Sequence, residues 1–347
     1  MTGEGVYCYS NAGDINNRAR GNVQSVTLPA GTYQFYVFGG AGNDLVAGGT
    51  VGAKGGFSYG TTTFSAATTI DMIVAAAGGP SNSGGGGGGS DIRVGGLDDL
   101  SKRVIVAGGG GAGGNPAVGG EGGGGNGGER CGGSSGDGVP GGCDGIGGST
   151  SSYMCSNSGG YLNGYTMAGT QDFGYGGYRG GHAQNACGGA GGRYGGGGGG
   201  GCCSVWTNGN SVGCGGASGI AGVFNAGQNP LANNSTTPIR DCSAAVGFDG
   251  GWLSGYAICY AHNTGGVIGG VGGFGGGGMG GEYGGGGGGG GGYGGGAGGR
   301  VDFGVGNGGG GGGCVGCSNT VGVAFSDIGG RRGVRTGDGA IIIRKID

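Results

Sequence analysis

Short runs of apolar residues, each bounded by glycine, proline or other turn formers, mark the first part of the chain. Residues 23–28 mix apolar and polar positions, and residues 32–38, TYQFYVF, are aromatic and β-branched, as is typical of strands. The turn residues 29–31 between these two runs predict a β-hairpin. Further strands are predicted at residues 56–64, 68–77 and 102–107.

Residues 340–347, AIIIRKID, form a continuous apolar run with a charged tail, which predicts a buried strand. Because no segment keeps a period of about 3.6 residues, we expect almost no α-helix and an all-β fold. The chain divides into an N-terminal segment (1–22), the first part of a β-sandwich (23–107), a glycine-rich insert (108–336, less glycine-rich at 220–264) and a closing strand (337–347).

Glycine supplies 119 of the 347 residues, far above the usual ~7%. Its runs, such as 84–89, 195–201, 284–292 and 308–313, follow no Gly-X-Y repeat, and 6 prolines are too few for collagen. Disorder is also disfavoured, because 34% of the residues are hydrophobic, only 10% are charged, and the apolar residues cluster into strand-like runs.

Glycine alone lets extended threefold helices come close enough for their main-chain N–H and C=O groups to pair between neighbours. This arrangement, polyglycine II, is the glycine counterpart of the geometry of a collagen strand. We therefore expect the long glycine runs to form a packed bundle of polyglycine II helices, since a structureless loop of this length is implausible in a compact domain.

Charge and hydropathy exclude two classes of partner. The chain has 16 Lys and Arg against 19 Asp and Glu, and its longest basic run is a pair such as Arg331 and Arg332. A nucleic-acid-binding surface is therefore not expected. No stretch of about 18 apolar residues is present to insert into a membrane.

Catalytic motifs are equally weak. His182 and His262 have no partner at metal-ligand spacing such as HExxH. Residues 132–136 match the GxSxG pattern around Ser134, but such matches arise by chance in a glycine-rich chain, and no strand or helix is predicted beside this one. No phosphate-binding loop sequence occurs. We expect a protein that is not an enzyme and has no cofactor.

The 12 cysteines are an even number, which favours disulfides and an oxidising environment. The disulfide candidates are Cys8, Cys131, Cys143, Cys155, Cys187, Cys202, Cys203, Cys214, Cys242, Cys259, Cys314 and Cys317. Their connectivity cannot be read from the sequence. Adjacent cysteines rarely bond each other, so the neighbours at 202 and 203 are expected to have different partners.

The CxxC sequence formed by Cys314 and Cys317 also fits half of a zinc site. The second pair of ligands would come from residues 202 and 203, or from Cys131 and Cys143. We favour disulfides without metal, because glycine loops are strongly stabilised when their ends are joined.

Tyrosines beside glycine are candidates for an adhesive surface that stacks on sugar rings: Tyr175, Tyr178, Tyr194, Tyr283 and Tyr293. The alternative is that they pack along the edges of the glycine bundle and shield it from water, and we favour this for those within long glycine runs. Asn233 and Asn234 begin two overlapping N-glycosylation sequons, which are otherwise simply a polar turn.

An ordered set of motifs carries a family resemblance: LPAGTYQFYVFGGAG, GAKGGFSYGTTTF, TIDMIVAAAGG, GGGGGGSDIRVGG, KRVIVAGGGGAGG and the closing GDGAIIIRKID. These resemble the glycine-rich domain of the anaplastic lymphoma kinase receptor family and of stand-alone glycine-rich proteins of protists and microbes. The resemblance implies a tumour-necrosis-factor-like jelly-roll sandwich carrying hexagonally packed polyglycine II helices. We expect the chain to differ from those receptors in having no kinase and no membrane span, and its insert is rich in cysteine.

Composition and architecture give a looser likeness to the polyglycine-helix adhesins at the tips of some phage tail fibres. Two functions follow as expectations. The first is an extracellular structural protein that self-assembles into a fibre or appendage. The second is an adhesin, viral or cellular, that recognises glycans or surface proteins.

The destination is expected to be extracellular or a virion surface, because cysteine usage favours an oxidising setting. The opening MTGEGVYCYS shows neither a basic n-region nor an apolar h-region, so the export route stays open. Two placements are open for the strand at 340–347. It pairs beside residues 32–38 in its own sandwich, which we favour, or it completes a sheet of the next subunit.

Overall fold

The structure, a computed structural model, describes residues 6–10, 22–43, 52–79, 84–96, 100–113, 118–125, 127–134, 141, 143, 277, 288–296, 308–317 and 320–347. The strands in these residues are β1 (Val6–Ser10), β2 (Asn22–Leu28), β3 (Gly31–Phe38), β4 (Gly55–Phe64), β5 (Thr68–Val74), β6 (Ser90–Val94), β7 (Arg103–Ala107), β8 (Cys314–Val315), β9 (Ser326–Arg335) and β10 (Ala340–Lys345).

The strands form two five-stranded sheets, and every neighbouring pair is antiparallel. Sheet A has the order β1-β10-β3-β4-β9, and sheet B has the order β2-β5-β6-β7-β8. Helical structure in the described ranges is limited to two short 3₁₀ turns, Leu100–Lys102 and Gly127–Arg130. The all-β prediction is therefore confirmed for this part of the chain. No helix within it is long and apolar enough to cross a membrane.

The core lies between the two sheets and follows the period of two that a pleated strand imposes. In β3, Tyr33, Phe35 and Val37 are buried and alternate with half-buried residues. They pack in one cluster with Ile341 and Ile343 of β10 and with buried residues of sheet B such as Ile70, Met72, Ile92 and Ile105. Each sheet thus contributes one apolar face, which is what holds the sandwich together.

The predicted hairpin between residues 23–28 and 32–38 is wrong. β2 pairs with β5 in sheet B, whereas β3 pairs with β4 and β10 in sheet A. The link at Pro29 carries the chain from one sheet to the other, and the hydroxyl of Tyr33 donates to its carbonyl oxygen at 3.0 Å. Leu28 and Tyr33 both reach the core, so burial of these side chains favours the crossover over a local pair.

Strand positions at 56–64, 102–107 and 340–347 are otherwise close to those observed, but the strand predicted at 68–77 ends at Val74. Four strands have no counterpart in the sequence prediction: β1, β6, β8 and β9. β9 carries glycines at 329, 330 and 333, and β8 follows a glycine run, so neither stands out by hydrophobicity. β10 pairs with β3 inside its own chain, which is the favoured placement.

Glycine segments extend the strands at one end of the sandwich. Residues 39–43, 75–79 and 108–113 follow β3, β5 and β7, while residues 52–54, 84–89 and 308–313 precede β4, β6 and β8. We call these segments, with residues 118–125 and 288–296, the glycine layer. Its segments are joined to one another by main-chain hydrogen bonds.

The segment 108–113 shows how the glycine layer is hydrogen-bonded. Its N–H groups donate to three neighbouring segments in turn, with a repeat of three residues. Residues 108 and 111 donate to the carbonyl oxygens of residues 123 and 120, residues 109 and 112 to those of residues 291 and 288, and residues 110 and 113 to those of residues 40 and 43. Its carbonyl groups accept from a second set of segments, at residues 53 and 56, at residue 87, and at residues 308 and 311. The segment is thus hydrogen-bonded to neighbours on all sides.

The close spacing of the glycine layer leaves no room for a side chain at glycine positions such as Gly109 and Gly111. A Cβ added at Gly109 would lie 2.1 Å from the carbonyl oxygen of Gly87, and one added at Gly111 would lie 2.0 Å from that of Gly308. Since real Cβ atoms do not come so close, glycine is required there by the close approach of main chains. Of the predicted polyglycine runs, 84–89, 308–313 and the second part of 284–292 (residues 288–292) belong to this layer, whereas 195–201 and residues 284–287 lie outside the described residues.

The outer face of sheet B is tied to the glycine layer by buried charged side chains. Arg93 is fully buried and forms an ion pair with Asp91 at 2.8 Å. Arg103, opposite Arg93 in the register, donates from Nη1 to the carbonyl oxygen of Gly292 at 3.0 Å. The guanidinium of Arg103 also lies over the ring of Tyr293. These contacts give the glycine layer a fixed position on the sheet.

Candidate functional site

The outer face of sheet A carries four aromatic side chains at its centre. Tyr36 and Phe38 come from β3, and Phe57 and Tyr59 come from β4. In the antiparallel register Tyr36 lies opposite Tyr59, and Phe38 lies opposite Phe57. All four side chains are half-buried. We call this two-by-two arrangement the aromatic patch.

The rings of the aromatic patch are close to parallel. Phe38 and Phe57 are stacked with centroids 4.6 Å apart and planes 20° apart. Tyr36 lies 6.3 Å from Phe57 at an interplanar angle of 5°. Tyr59 lies 5.7 Å from Phe57 and 6.4 Å from Tyr36. The four rings therefore form one continuous apolar surface with a common orientation.

The alternation of each strand produces this surface. Tyr33, Phe35 and Val37 fill the core, so the residues between them in β3 point to the other face. On β9, Gly329 lies opposite Tyr59. A Cβ added at Gly329 would lie 2.6 Å from the ring atoms Cε1 and Cζ and from the hydroxyl oxygen Oη of Tyr59. The Tyr59 ring thus covers the glycine, and the lack of a side chain there makes room for it.

Polar side chains border one end of the aromatic patch. The hydroxyl of Tyr36 donates to Oε1 of Gln34 at 2.5 Å, and Nε2 of Gln34 donates to Oδ2 of Asp327 at 3.4 Å. Asp327 has a φ of 46°, in the left-handed region that a non-glycine residue seldom adopts. It lies where the register between β4 and β9 shifts, between Tyr59 and Thr61. This bulge places a carboxylate beside the patch.

Two exposed arginines lie on opposite sides of the aromatic patch. Arg331 of β9 is directly opposite Phe57, and Arg344 of β10 is directly opposite Gln34. Neither forms an ion pair with any of the residues that the structure describes. The Phe57 end of the patch therefore has a guanidinium beside it, whereas the Gln34 end has both a guanidinium and the carboxylate of Asp327.

Beyond Gln34, the outer face of sheet A ends in the threonines Thr32 and Thr63. Oγ1 atoms of Thr32 and Thr63 lie 3.0 Å apart. The main-chain N–H and the Oγ1 of Thr32 donate to the carboxylate of Asp347 at 2.5 Å and 2.7 Å. These hydrogen bonds, the main-chain one first, hold the pKa of the Asp347 carboxyl below its ordinary value.

Four of the cysteines are described as two pairs within disulfide-bonding distance. Cys131 and Cys143 form one, and Cys314 and Cys317 form the other. The second pair is buried and packs with Val106 of β7. Cys8 lies in β1, paired with Ile342 of β10. The other cysteine candidates lie outside the described residues: Cys155, Cys187, Cys202, Cys203, Cys214, Cys242 and Cys259.

Most of the predicted adhesive tyrosines, at positions 175, 178, 194 and 283, lie outside the described residues, as do the sequon residues Asn233 and Asn234. Tyr293 is described. It is half-buried in the glycine layer, and its ring faces Arg103 at 5.1 Å. This is the packing position that the sequence offered as the alternative to adhesion. In the described ranges, no three His, Cys, Asp or Glu side chains come together as a metal site.

No protein-family model matches this chain, and no curated protein matches it.

Sequence reasoning missed the aromatic patch, although the signal was present. The run TYQFYVF places aromatic residues at both odd and even positions, and GFSYG places two more at alternate positions. With a period of two, one set must leave the core. What the sequence lacked was the pairing of residues 36 and 38 with 59 and 57, which brings the outward rings together.

Proposed function

We propose that this chain is a non-catalytic extracellular adhesin whose aromatic patch contacts carbohydrate. The aromatic patch carries the proposal, because four near-parallel rings lie on the outer face of a sheet whose inner face already supplies the core. A function has to be argued from such a site, since one sandwich fold serves many functions. Of the two functions that the sequence leaves open, the patch favours recognition of glycans.

The chemistry of the aromatic patch suits a sugar. One face of a pyranose ring presents C–H bonds, which pack on the electron-rich face of an aromatic ring. The hydroxyl groups at the edge of the sugar then need donors and acceptors. Gln34, Asp327 and the tyrosine hydroxyls supply both at the border of the aromatic patch. Such a combination of an apolar surface and a few placed polar groups is typical of small-ligand sites.

The size of the aromatic patch favours a sugar over a protein partner. Each aromatic side chain has about 200 Å² of surface, and each ring of the patch has well under half of its surface exposed, so the four together expose on the order of 300 Å² or less. A stable protein interface buries about 800 Å² on each partner. A second copy of this chain or another protein would need much more surface than the patch provides.

The scaffold that we propose for this adhesin is a jelly-roll sandwich with a polyglycine II bundle. Two five-stranded antiparallel sheets are in keeping with a jelly roll. The three-residue repeat of donors in segment 108–113 is the repeat of a threefold helix. Its six hydrogen-bonded neighbours, at residues 40–43, 53–56, 87, 120–123, 288–291 and 308–311, are in keeping with hexagonal packing. The two cysteine pairs are compatible with an extracellular location.

A second candidate function, self-assembly into a fibre, is favoured by the glycine layer. Its segments associate mainly through main-chain hydrogen bonds, for example Gly109 N–H to Gly291 O at 2.6 Å. Surfaces of this kind can add further glycine segments with little loss of side-chain entropy. Electron microscopy of the purified chain separates the candidates, because regular filaments support a fibre and discrete particles support the adhesin.

Binding of the purified full chain to immobilised neutral and acidic polysaccharides tests the proposed function. The double variant Tyr36→Thr, Tyr59→Thr removes two rings and keeps residues that favour strands. We expect it to bind at least about tenfold more weakly than the unaltered chain, the change that about 1.4 kcal/mol produces. Thr27→Ala, on the exposed face of sheet B, is the control and should bind normally.

Each variant is first shown to melt like the unaltered chain, so that weaker binding reports the aromatic patch and not unfolding. If the unaltered chain binds no polysaccharide in the panel, or if the double variant binds as well as the control, the proposed function is wrong. If the double variant instead loses self-association, the patch is an interface between copies.

A further inference from the structure

We infer that the aromatic patch selects an acidic oligosaccharide and that the carboxylate of its acidic sugar lies at the Arg331 end. The inference rests on the proposed function and adds the class of glycan and its direction along the sheet. It follows from the different charges at the two ends of the patch.

Arg331 is placed to bind a carboxylate that extends past the aromatic patch. It is exposed and lies directly opposite Phe57, whose ring stacks on Phe38 and contacts both tyrosines. A sugar that covers Phe57 therefore has its edge next to the guanidinium. A planar guanidinium forms two parallel hydrogen bonds to a carboxylate, which gives direction as well as affinity.

The neighbouring arginines of β9 are already engaged within the protein. Nε of Arg332 donates to the carbonyl oxygen of Cys131 at 2.9 Å, and Nε of Arg335 donates to that of Asp338 at 2.7 Å. Arg331 has no such bond to any residue that the structure describes. Among the arginines of this strand, it is the one whose position on the outer face leaves it beside the aromatic patch.

The opposite end of the aromatic patch disfavours an acid. The carboxylate of Asp327 lies beside Gln34, so it repels a second carboxylate and partly offsets the charge of Arg344. A carboxylate is an acceptor only, and so Asp327 suits the hydroxyl groups of a neutral sugar. An oligosaccharide would therefore lie with its acidic unit at Arg331 and its neutral edge at Asp327.

The ends of the aromatic patch are also too far apart for one sugar. Arg331 and Arg344 are separated by three strand spacings and by four residues along β10, which corresponds to roughly 20 Å. The two arginines therefore do not bind the same carboxylate. For this reason Arg344 is a matched control: it is an exposed arginine on the same sheet, but at the end that we assign to the neutral sugar.

Matched polymers test the inference with the full chain. Polygalacturonate and polysialic acid present carboxylates on pyranose rings, and their methyl esters keep the rings but remove the charge. We expect the chain to bind the acids at least about tenfold more tightly than the esters and to lose this preference as ionic strength rises. Arg331→Gln should bind acid and ester alike, whereas Arg344→Gln should keep most of the preference.

Asp327→Asn gives the complementary measurement. Removing its charge while keeping a polar group should raise the preference for the acids over the esters, because the repulsion between carboxylates is lost while a hydrogen-bonding side chain stays beside the sugar; an unchanged preference would contradict the role of Asp327. Dextran sulfate is a further control, because binding that depends only on charge density would favour it over both carboxylate polymers.

The outcomes separate this inference from the proposed function. Equal binding of acids and esters by the unaltered chain overturns the acidic selectivity and leaves the adhesin proposal standing. An equal loss in Arg331→Gln and Arg344→Gln, or preferential binding of dextran sulfate, overturns the assignment of the carboxylate to Arg331. Failure to bind any acidic or neutral polysaccharide overturns the proposed function itself.

Discussion

The guanidinium of Arg103 lies over the ring of Tyr293, with Cζ 5.1 Å from the ring centroid. Arg103 belongs to β7 of sheet B and is almost fully buried, whereas Tyr293 belongs to the glycine layer. The pair therefore joins two parts of the fold whose residues, 103 and 293, are 190 positions apart in the chain. Its contribution to stability can be measured directly.

Tyr293→Leu should destabilise the protein, because it removes the aromatic face from a buried cation. A desolvated cation–π contact contributes about 2 kcal/mol or more, so we expect a loss of this size in the free energy of unfolding measured with denaturant. Tyr293→Phe keeps the ring and should cost clearly less. Equal losses in the two variants would show that the ring face does not contribute.

Gly111→Ala should disrupt the glycine layer. The added Cβ would lie 2.0 Å from the carbonyl oxygen of Gly308, so one segment must move and break hydrogen bonds to its neighbours. Overpacking of this kind typically lowers the free energy of unfolding by about 1–3 kcal/mol. Because the added Cβ clashes with a main-chain atom, which cannot rotate away, we expect a loss of about 3 kcal/mol or more. Thermal unfolding measures the loss.

Gly322→Asn is the matched control for that variant. Gly322 has a φ of 68°, and nothing lies within 4 Å of an added Cβ. Asparagine tolerates the left-handed region better than other residues, so this variant should unfold close to the unaltered chain. If Gly111→Ala unfolds at the same temperature as Gly322→Asn, the close packing of segment 108–113 is wrong.

The cysteine pairs predict which thiols resist alkylation before reduction. Cys131 and Cys143, and likewise Cys314 and Cys317, should be recovered as linked peptides in mass spectrometry of the non-reduced protein. We expect most of the 12 cysteines to be bonded. Recovery of 12 alkylated thiols without reduction, or stoichiometric zinc in the purified protein, would contradict the disulfide interpretation.

The carboxylate of Asp347 should contribute a pH-dependent part of the stability. Thr32 donates to it and lowers its pKa in the folded state. The contribution is therefore present above the ordinary aspartate pKa of about 3.9 and is lost as pH falls through the lower folded value. Thr32→Val removes the hydroxyl donor, so the carboxyl pKa measured by NMR should rise towards the ordinary value, but not fully, because the N–H remains. An unchanged pKa would contradict this assignment.

The sequence predicted features that depend on neighbouring residues better than features that depend on contacts between residues far apart in the chain. Residues 32–38 and 56–64 were identified because aromatic and β-branched side chains report a strand locally. β9 was missed because its glycines at 329, 330 and 333 lower its strand propensity, and pairing with β4 overrides that local preference. The hairpin predicted around Pro29 is wrong, because burial of Leu28 and Tyr33 in a common core decides which sheet each strand joins.

The aromatic patch shows the same limit. Its four rings come from strands that the sequence does predict, but their proximity depends on the register that pairs Tyr36 with Tyr59. Arg331 and Asp327 come from β9, whose position on sheet A requires a return of the chain from a distant segment. Local strand propensity does not show which distant segment pairs with β4, so the sequence alone could not place these two charged residues beside the aromatic patch.

Removal of residues 340–347 should unfold the chain rather than only prevent its assembly. β10 lies between β1 and β3 in sheet A, so its loss leaves β3 with an unpaired edge and opens the core. Ile341 and Ile343 are fully buried in that core. Under the alternative placement, in which the strand is donated to another subunit, the shortened chain would stay folded and merely lose assembly. Circular dichroism and sedimentation of the chain ending at Gly339 distinguish these results.

Point variants test the same strand without deleting it. Ile341→Ala and Ile343→Ala should each cost about 2–5 kcal/mol, the usual range for a buried isoleucine, whereas Ile346→Ala should cost little because Ile346 is 49% exposed. If the losses in the free energy of unfolding do not depend on protein concentration, the strand is buried in its own chain; if they shrink on dilution, burial requires a second copy. A shortened chain that is folded and still forms filaments would contradict both placements, because neither sheet would then need β10.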